Sequence, residues 1–441
     1  MLDFRNKKVV VMRIGLLGRG VGDTAWLAEQ GAEVLVVDDA SQEVMQPSVD
    51  ALAEFDNVKF KFGEYDFADF KDADFVLVGA GAPIDLPVLM ECREAGVVLK
   101  QSAVWFAELS GIPVVGVTGT RGKSTVTHMI HHVVSELTGE SVLLGGNIRG
   151  VSNLQLLNDV KEDSIVIMEL DSWQLQGWGW AKISPQIAVF TNFMSDHMNY
   201  YHNDMSAYFA DKANIFRYQE ESGVFITVPE VFEQAKQVSG VTIGQEVVLV
   251  DGSALPEDML LSMPGEHNRL NAAIAYEALK AISLTDEEIF SGLASFPGVP
   301  GRLEYLGQKG GIKIYNDNNS TTPEATVKGL LAVGNKDSKN IILVAGGAYK
   351  EVDPKVLVEA IPKYCKKVLL LPGTGTDLIK SEIECEVVEN VSTAVKAAMA
   401  DGESGDVLLF SPGFASFGEF KNEYERNDEF VKCINEVSEE E

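Results

Sequence analysis

Cysteine, positive charge and long hydrophobic runs are all scarce in this chain. The four cysteines lie far apart and form no CxxC pair, which argues against a zinc ribbon or a disulfide scaffold. Lysine and arginine total 36 against 66 acidic residues, and the net charge of −30 argues against general binding to nucleic-acid backbones or anionic lipid. No apolar run approaches the roughly 18 residues of a membrane helix, and the amino terminus lacks a signal-peptide pattern. We therefore expect a cytoplasmic protein without nucleic-acid or membrane partners.

The chain has 441 residues with an ordinary globular composition, and the length predicts about three domains. Three successive blocks alternate short β-rich runs with longer helical stretches, which is the pattern of parallel sheets covered by helices. Glycine and proline separate the second block from the third near residue 298. We predict an α/β protein with a Rossmann-like amino-terminal domain over 1–100, a central domain over 101–298 and a Rossmann-like carboxy-terminal domain over 299–441.

The first block contains a glycine cluster between a strand and a helix, GLLGRGVGD, which includes Gly18. Such a loop lets the backbone approach a pyrophosphate at a helix N-terminus. Asp38 and Asp39 end the next strand about 20 residues later, where an acidic side chain could meet a ribose or a base. A second loop, VLVGAGAP with Gly81, could line the same crevice. The spacing is not a clean GxGxxG, so a plain tight turn stays an alternative.

The second block carries the strongest motif, GVTGTRGKST, directly after the strand PVVGV. Backbone N–H groups of such a loop cradle phosphate oxygens, the lysine adds a point charge, and a Ser or Thr hydroxyl can reach Mg²⁺. The motif therefore predicts a nucleoside triphosphate site in a central P-loop ATPase domain. The residues that it assigns to this site are Gly119, Thr120, Gly122, Lys123, Ser124 and Thr125.

Three more side chains follow strands of the same block. Glu169 ends the run SIVIMEL and could bind magnesium, although a capping or solvated role is the alternative. His197 follows the run QIAVFTN, and Lys212 comes fifteen residues after it. On its own, a histidine in this position is more often structural than a ligand.

These motifs in this order resemble the Mur ligase superfamily, ATP-dependent enzymes that form amide bonds in peptidoglycan precursors. The resemblance is carried by GVTGTRGKST, ELDSWQL, SDHMNYY with Lys212 behind it, GEHNRLNAAIA, and GRLE followed by YND. It covers nearly the whole chain, and the short first domain with its glycine loop is closest to the glutamate-adding branch. The implied activity is transfer of glutamate to UDP-N-acetylmuramoyl-L-alanine through an acyl phosphate, with ATP and two Mg²⁺ ions as cofactors.

The resemblance also implies roles for individual residues. Lys123, Glu169, His197 and Lys212 would be catalytic, with Ser124, Thr125, Glu169, His197 and a carbamylated Lys212 holding the magnesium ions. Asn268 and Asn271 would meet the adenine, and Arg302 and Asp317 would reach the nucleotide. The UDP-sugar and glutamate sites would use Gly18, Asp38, Asp39, Gly81, Asn147, Thr321, Lys350 and Ser416.

Some positions depart from the common pattern of the D-glutamate-adding enzymes. The stretch Asn316–Thr322 lacks the lysine that is usual there, and Glu423 stands where an aromatic residue is common. Because these departures fall where the amino acid should bind, they leave the acceptor open: D-glutamate is favoured, with L-glutamate or another amino acid as alternatives.

Three other functions would account for parts of the sequence. A nicotinamide-dependent oxidoreductase built on the first glycine loop leaves the phosphate loop unexplained, and a non-catalytic nucleotide-binding relative need not keep Lys123, Glu169, His197 and Lys212. Folylpolyglutamate synthase shares the central domain, but it lacks a comparable first domain. We expect a monomer.

Overall fold

The computed structural model describes residues 2–16, 18–138, 141–238, 243–263, 265–349, 352–416, 420 and 422–437. Two compact units make up the chain. The first comprises Met1–Pro256 and Asn271–Gly292, and the second comprises Glu257–Leu270 and Leu293–Glu441. No helix among the described residues combines the length and apolar character needed to cross a bilayer.

The amino-terminal part of the first unit is built on a parallel sheet with the strand order β3-β2-β1-β4-β5. The chain leaves the middle strand β1 toward β2 and later returns to its other side at β4. This change of direction creates a crevice at the carboxyl ends of β1 and β4, the usual ligand position in open α/β sheets. The strands are β1 Lys8–Met12, β2 Glu33–Asp38, β3 Val58–Phe62, β4 Phe75–Val78 and β5 Leu99–Lys100.

A second parallel sheet in the same unit has the order β11-β10-β9-β6-β8-β7. Its middle strand β6 is buried along its whole length, as expected for a sheet covered on both faces. The chain continues from β6 to β7 and β8 on one side and then crosses to β9 on the other, so the loop after β6 lies at the point where the strand order reverses. The strands are β6 Val114–Thr118, β7 Val142–Gly146, β8 Ile165–Glu169, β9 Ile187–Phe190, β10 Val224–Thr227 and β11 Glu246–Leu249.

The second unit contains a mixed sheet with the order β12-β13-β17-β14-β15-β16. Only the edge pair β12–β13 is antiparallel among its described pairings. Two apolar clusters cover the two faces of this sheet, one containing Ile342, Leu408 and Phe430, and the other Leu343, Leu409 and Leu357. The strands are β12 Glu304–Lys309, β13 Ile312–Asn316, β14 Ile341–Gly346, β15 Cys365–Leu371, β16 Glu386–Val387 and β17 Val407–Phe410.

Helices connect the parallel strands, as crossover connections require. The helices are α1 Arg19–Glu29, α2 Gln42–Ala51, α3 Pro87–Glu94, α4 Ser102–Ser110, α5 Lys123–Thr138, α6 Ser172–Ala181, α7 Met205–Lys212, α8 Pro229–Ala235, α9 Glu266–Ala281, α10 Asp286–Ser295, α11 Pro323–Val333, α12 Lys355–Tyr364, α13 Thr374–Ile379, α14 Val391–Asp401 and α15 Glu423–Glu436. Short 3₁₀ turns occupy Phe67–Asp69, Gln155–Asp159 and Ala213–Ile215.

The predicted α/β class with three sheets is confirmed. The apolar runs PVVGV, SIVIMEL and QIAVFTN of the second block correspond to the strands β6, β8 and β9. The strands β5, β7 and β11 were not predicted: β5 has only two residues, β7 ends in two glycines, and β11 is not buried.

Candidate active site

The phosphate-loop motif lies between β6 and α5, at the crevice of the central sheet. Gly119 has φ +143° and Gly122 has φ +83°, a region that side chains rarely adopt. A Cβ on Gly122 would lie 2.5 Å from Oδ1 of Asn271, so the amide of α9 packs directly against the loop. The sequence predicted both Gly122 and Asn271 as nucleotide residues, and the fold brings them together.

Residues that follow β9 clamp the phosphate loop from one side. The Thr120 backbone N donates to the Asn192 carbonyl oxygen at 2.9 Å, and the Arg121 backbone N donates to Asn192 Oδ1 at 2.9 Å. The Thr191 hydroxyl and the Asn192 amide both donate to the Arg121 carbonyl oxygen. Thr120 Oγ1 donates to the Met194 carbonyl oxygen at 3.1 Å. The loop conformation is therefore held by the protein itself.

Two lysines meet at one carbonyl of this loop. Lys123 Nζ donates to the Gly119 oxygen at 3.0 Å and to the Thr120 oxygen at 3.2 Å. Lys212 Nζ donates to the same Gly119 oxygen at 2.9 Å and approaches Thr118 Oγ1 at 3.3 Å. Burial, and secondly the charge of Lys123, lower the pKa of Lys212 well below its usual value. Residue spacing gives no sign of this convergence, since Lys212 comes from α7, almost ninety residues after the loop, and only the superfamily resemblance assigned both lysines to one site.

Glu169 lies one strand away from the phosphate loop. It ends β8, where it pairs in register with Val117 of β6, and its side chain is buried. The hydroxyl-bearing residues Ser124 and Thr125, in the first turn of α5, are also buried. Hydroxyl and carboxylate oxygens are the ligand type that Mg²⁺ prefers, and Mg²⁺ commonly completes its shell with substrate phosphates and water. No cluster of three or more His, Cys, Asp or Glu side chains that could hold a metal ion occurs in the described part of the chain.

His197 follows β9 in a left-handed conformation, with φ +54°. Its ring lies against Trp173, with the centroids 4.7 Å apart, and Nε2 is 3.8 Å from Asp196 Oδ2. Burial lowers the pKa of His197, opposed by Asp196 and reinforced by Lys123. A neutral imidazole is the form that binds a metal ion.

The glycine loop of the first sheet begins α1 and lies beside the loop after β4. Gly18 caps α1 with φ +84°, and the register Met12–Val78 places its loop next to Gly81, which also has φ +84°. Asp38 ends the neighbouring strand β2, as predicted, and its Oδ1 accepts from the Ala40 backbone N. The candidates for the first crevice therefore lie at the same end of one sheet: Gly18, Gly81, Asp38 and the next residue, Asp39.

Asp39 is already engaged with a cation. Its carboxylate accepts from Arg13 Nη2 at 3.0 Å and from Arg13 Nε at 3.2 Å. Burial acts to raise the pKa of Asp39, but the bond to Arg13 outweighs it and the pKa lies below its usual value. Asp38, which is buried and bonded only locally in the described contacts, is thus the better placed of the two to receive a ligand.

The first crevice is tied to the central sheet through Asn147 and α1. Arg19, the first residue of α1, donates to Asn147 Oδ1, and the Asn147 backbone N donates to the Glu169 carbonyl oxygen at 2.7 Å. One turn further along, Asp23 Oδ1 accepts from Ser152 Oγ at 2.6 Å and from the Leu154 backbone N at 3.0 Å. Asn147 therefore touches both crevices. Arg19, Asp23 and Trp173 lie inside the motifs GLLGRGVGD and ELDSWQL, but they were not predicted as site residues, because their partners are distant in the sequence and only the fold brings them together.

The remaining candidates belong to the second unit. Asp317 directly follows β13. Its carboxylate accepts from Ser411 Oγ at 2.7 Å and from the Leu303 backbone N at 3.1 Å. Burial raises the pKa of Asp317 to about 6. Arg302 adjoins Leu303 and is partly exposed. The other candidates that lie in this unit are Asn268 at the start of α9, Thr321 before α11 and the buried Ser416 after β17. Lys350 lies outside the described residues.

Family comparisons agree with this arrangement. Residues 117–246 match the Mur ligase middle domain, and residues 301–414 match the Mur ligase glutamate ligase domain. The UDP-N-acetylmuramoylalanine–D-glutamate ligase of Roseiflexus sp. is 30% identical, covering 98% of this chain and 99% of that relative. The enzyme of the same name from Streptococcus mutans is also 30% identical, with 97% of each chain covered.

Solved structures show the same fold at lower identity. UDP-N-acetylmuramate-alanine ligase from Thermotoga maritima has a TM-score of 0.61 at 16% identity, covering 98% of this chain and all of that one. The MurF ligase of the same organism, in complex with ADP, has a TM-score of 0.58 at 18% identity, covering 99% of this chain and 97% of that one. With two family domains matched in order and full-length relatives at this identity, the chain belongs to the Mur ligase family.

Proposed function

We propose that this protein is an ATP-dependent ligase that adds D-glutamate to UDP-N-acetylmuramoyl-L-alanine, with ADP and phosphate as the other products. Full-length relatives that carry this activity in their names support the substrate pair. The observation that carries the chemistry is the meeting of Lys123 and Lys212 at the Gly119 carbonyl oxygen, one strand away from Glu169.

The phosphates of ATP bind along the loop from Gly119 to Ser124, where backbone N–H groups at the start of α5 face an anion. Lys123 leaves its loop carbonyls and moves its charge to the β and γ phosphates, which offsets the repulsion between ATP and an incoming carboxylate. Asn271 packs against Gly122 and is assigned to the adenine together with Asn268, which lies one turn earlier on α9. These groups bind and orient the nucleotide before the chemical step.

Ser124, Thr125 and Glu169 supply hard oxygen ligands for one magnesium ion, and His197 and Lys212 hold a second. When bound, these ions neutralise phosphate charge as Lewis acids. Lys212 fits this role as a carbamate, because its buried amine has a lowered pKa and is therefore neutral enough to add carbon dioxide. Lys212 then contributes a carboxylate where the unmodified side chain offers only donors.

The alanyl carboxylate attacks the γ-phosphorus, the bond to the ADP oxygen breaks, and an acyl phosphate forms. The amine of glutamate attacks the acyl carbon, loses its proton and expels phosphate, which leaves an amide. Asn147 contacts both crevices and is placed to hold the substrate arm between the UDP end and the phosphate loop. We assign the UDP end to residues 1–100, with Gly18, Asp38, Asp39 and Gly81, and ATP to residues 101–298. A substrate set of ATP and a UDP-sugar places the reaction in the cytoplasm, and we propose a monomer.

The amino-acid end is assigned to residues 299–441. Ser416 and Thr321 are the hydroxyl donors for the glutamate carboxylates, with Lys350 as the cation, while Arg302 and Asp317 serve the nucleotide. L-glutamate is the second candidate acceptor, because Asn319 stands in the stretch where the family's lysine is usual and Ser320–Thr322 follow it. Either acceptor requires the same chemistry at the phosphate loop.

The test is phosphate release by the full chain with ATP, Mg²⁺ and UDP-N-acetylmuramoyl-L-alanine, with D-glutamate and L-glutamate in separate reactions. We expect release that depends on D-glutamate and produces one phosphate for each amide. Release with L-glutamate alone would reassign the acceptor and keep the ligase. Absence of acceptor-dependent release with either enantiomer would overturn the proposed activity.

A further inference from the structure

The phosphate loop carries an arginine whose side chain joins it to the segment that holds His197. Arg121 Nη1 donates to Asp196 Oδ2 at 2.7 Å. The second oxygen of the same carboxylate, Asp196 Oδ1, accepts from the His197 backbone N at 2.9 Å. One carboxylate thus bridges the phosphate loop and the backbone of His197.

His197 needs such support because its backbone is strained. A residue other than glycine in the left-handed region is strained by its Cβ and persists only where its surroundings hold it. The carbonyl oxygen of His197 accepts from the backbone N of Tyr200 and Tyr201, which fixes the carboxyl side of this turn. Asp196, held by Arg121, fixes the amino side.

The backbone of Arg121 is itself immobilised by the segment after β9. Its N donates to Asn192 Oδ1, and its carbonyl oxygen accepts from Thr191 and Asn192. The guanidinium therefore projects from a fixed point, and holding Asp196 from there sets the distance between the loop and the His197 turn. An exposed ion pair alone stabilises a fold only weakly, so the larger consequence of this pair is the geometry that it fixes.

We propose that Arg121 is a positioning residue that fixes His197 relative to the phosphate loop through the Asp196 carboxylate. The assignment rests on the proposed function for the role of His197, but the bridge itself rests on the observed contacts. Outer partners that orient a site's ligands typically change activity about ten- to a hundredfold when removed. Arg121 has this outer role and does not bind the nucleotide directly.

The experiment compares Arg121→Gln, Asp196→Asn and the double variant in the full-length protein. We expect each single change to lower kcat about tenfold with little change in the KM for ATP, and the double variant to be no worse than either. Arg121→Lys, which keeps a cation in reach of Asp196, should recover part of the loss. Arg5→Gln is the matched control, because it removes the exposed Arg5–Asp3 pair at the amino terminus and should leave kcat unchanged.

Two measurements do not depend on turnover. Hydrogen exchange should speed up at the amides of residues 197–201 in both Arg121→Gln and Asp196→Asn, since both break the same bridge. ADP affinity measured in EDTA should stay at the wild-type value in both. A loss of metal-free ADP affinity in Arg121→Gln alone would show a direct phosphate contact and overturn the proposal, as would additive losses of kcat or unchanged exchange.

These measurements distinguish a failure of the proposed function from a failure of the positioning role of Arg121. If wild-type protein binds ADP but releases no phosphate with either glutamate, the proposed function fails while the exchange and ADP measurements still decide the role of Arg121. If turnover is present and exchange in the His197 turn is insensitive to Arg121, the positioning role fails alone.

Discussion

Each of the two sheets in the first unit carries a glycine-rich loop that leads into a helix, and the fold holds the two loops in different ways. The phosphate loop is clamped by backbone and side-chain bonds from Thr191, Asn192 and Met194. The first loop is anchored further along its helix, where Asp23 is bonded to Ser152 and Leu154 of the central part. The first loop therefore takes its position from α1, whereas the phosphate loop takes its conformation from a neighbouring strand end.

The arginines of the two loops also differ in the chemistry of their partners. Arg121 pairs with a carboxylate, Asp196, within its own sheet, while Arg19 donates to the amide of Asn147 from the other sheet. A carboxylate neutralises its arginine, but an amide leaves the positive charge of Arg19 to attract a further anion. This difference suits a loop that closes a catalytic centre in one case and a loop that receives an anionic substrate in the other.

The largest expected effect distinguishes a catalytic role of the phosphate loop from a substrate-binding role of the first loop. Lys123→Ala should lower kcat about a thousandfold, because it removes the cation that stabilises the transferring phosphoryl group. Lys212→Ala should abolish turnover as well, whereas Arg19→Ala should mainly raise the KM for UDP-N-acetylmuramoyl-L-alanine. Steady-state kinetics of phosphate release, with each substrate varied in turn, measures all three.

Circular dichroism provides the control for these variants, since all three should keep the wild-type spectrum. Full activity in Lys123→Ala or Lys212→Ala would remove the proposed mechanism. An Arg19→Ala variant that lost kcat and kept its KM would show that the first loop takes part in the chemical step, and the contrast between the loops would fail.

A second, smaller effect concerns how tightly each loop is packed. A Cβ on Gly119 would overlap the hydroxyl of buried Thr191, so Gly119→Ala should cost about 2–3 kcal/mol of unfolding free energy and abolish nucleotide binding. Gly18 has no atom within 4 Å of its added Cβ, and Gly18→Ala should cost only about 1 kcal/mol through its positive φ. Urea unfolding of both variants, with ADP titration, checks the difference. Equal costs would mean that backbone strain alone limits both loops.

The sequence was informative about these loops to different degrees, and the reason is physical. The phosphate-loop residues could be predicted because a short run of backbone must cradle phosphate, and that demand appears as consecutive residues. The strands β6 and β8 were equally evident, since buried parallel strands are continuous apolar runs. The positions of Gly18 and Asp38 at one crevice followed from their place after neighbouring strands.

Contacts made across long stretches of chain could not be predicted from the residues alone. Asp23 and Ser152 are 129 residues apart, and Arg121 and Asp196 are 75 apart, so only the folded chain brings them together. Lys212 and His197 are unremarkable by residue type, and the superfamily resemblance, rather than spacing, singled them out. The functional roles of the predicted site residues, including Arg302, Thr321, Lys350 and Ser416, stay predictions.

The smallest expected effect is a pH dependence of opposite sign at the two loops. Burial raises the pKa of Asp23, against the bonds from Ser152 and Leu154. Burial also acts to raise the pKa of Asp196, but the charges of His197 and Arg121 outweigh it and the pKa is lowered. A raised carboxyl pKa means that the folded state binds more protons than the unfolded state, so stability falls as pH rises from the usual carboxyl range toward the folded pKa. A lowered pKa gives stability above the usual range that is lost as pH falls through the folded pKa.

Asp23→Asn tests the first sign with little change in shape, because the bonds from Ser152 and Leu154 both reach Oδ1, and an asparagine oxygen can accept them. We expect the variant to gain in Tm relative to wild type, by a few degrees, as pH rises from 4 to 8.

Asp196→Asn should instead have a lower Tm than wild type at neutral pH. The two values should approach each other below pH 4, because protonation of Asp196 then removes the same ion pair from wild type. Thermal unfolding followed by circular dichroism from about pH 2 to pH 8 measures both differences. Parallel pH curves for Asp23→Asn and wild type would show that Asp23 is ionised normally beneath the first loop. The link between the two sheets would then be a charged contact, like the Arg121–Asp196 pair at the phosphate loop.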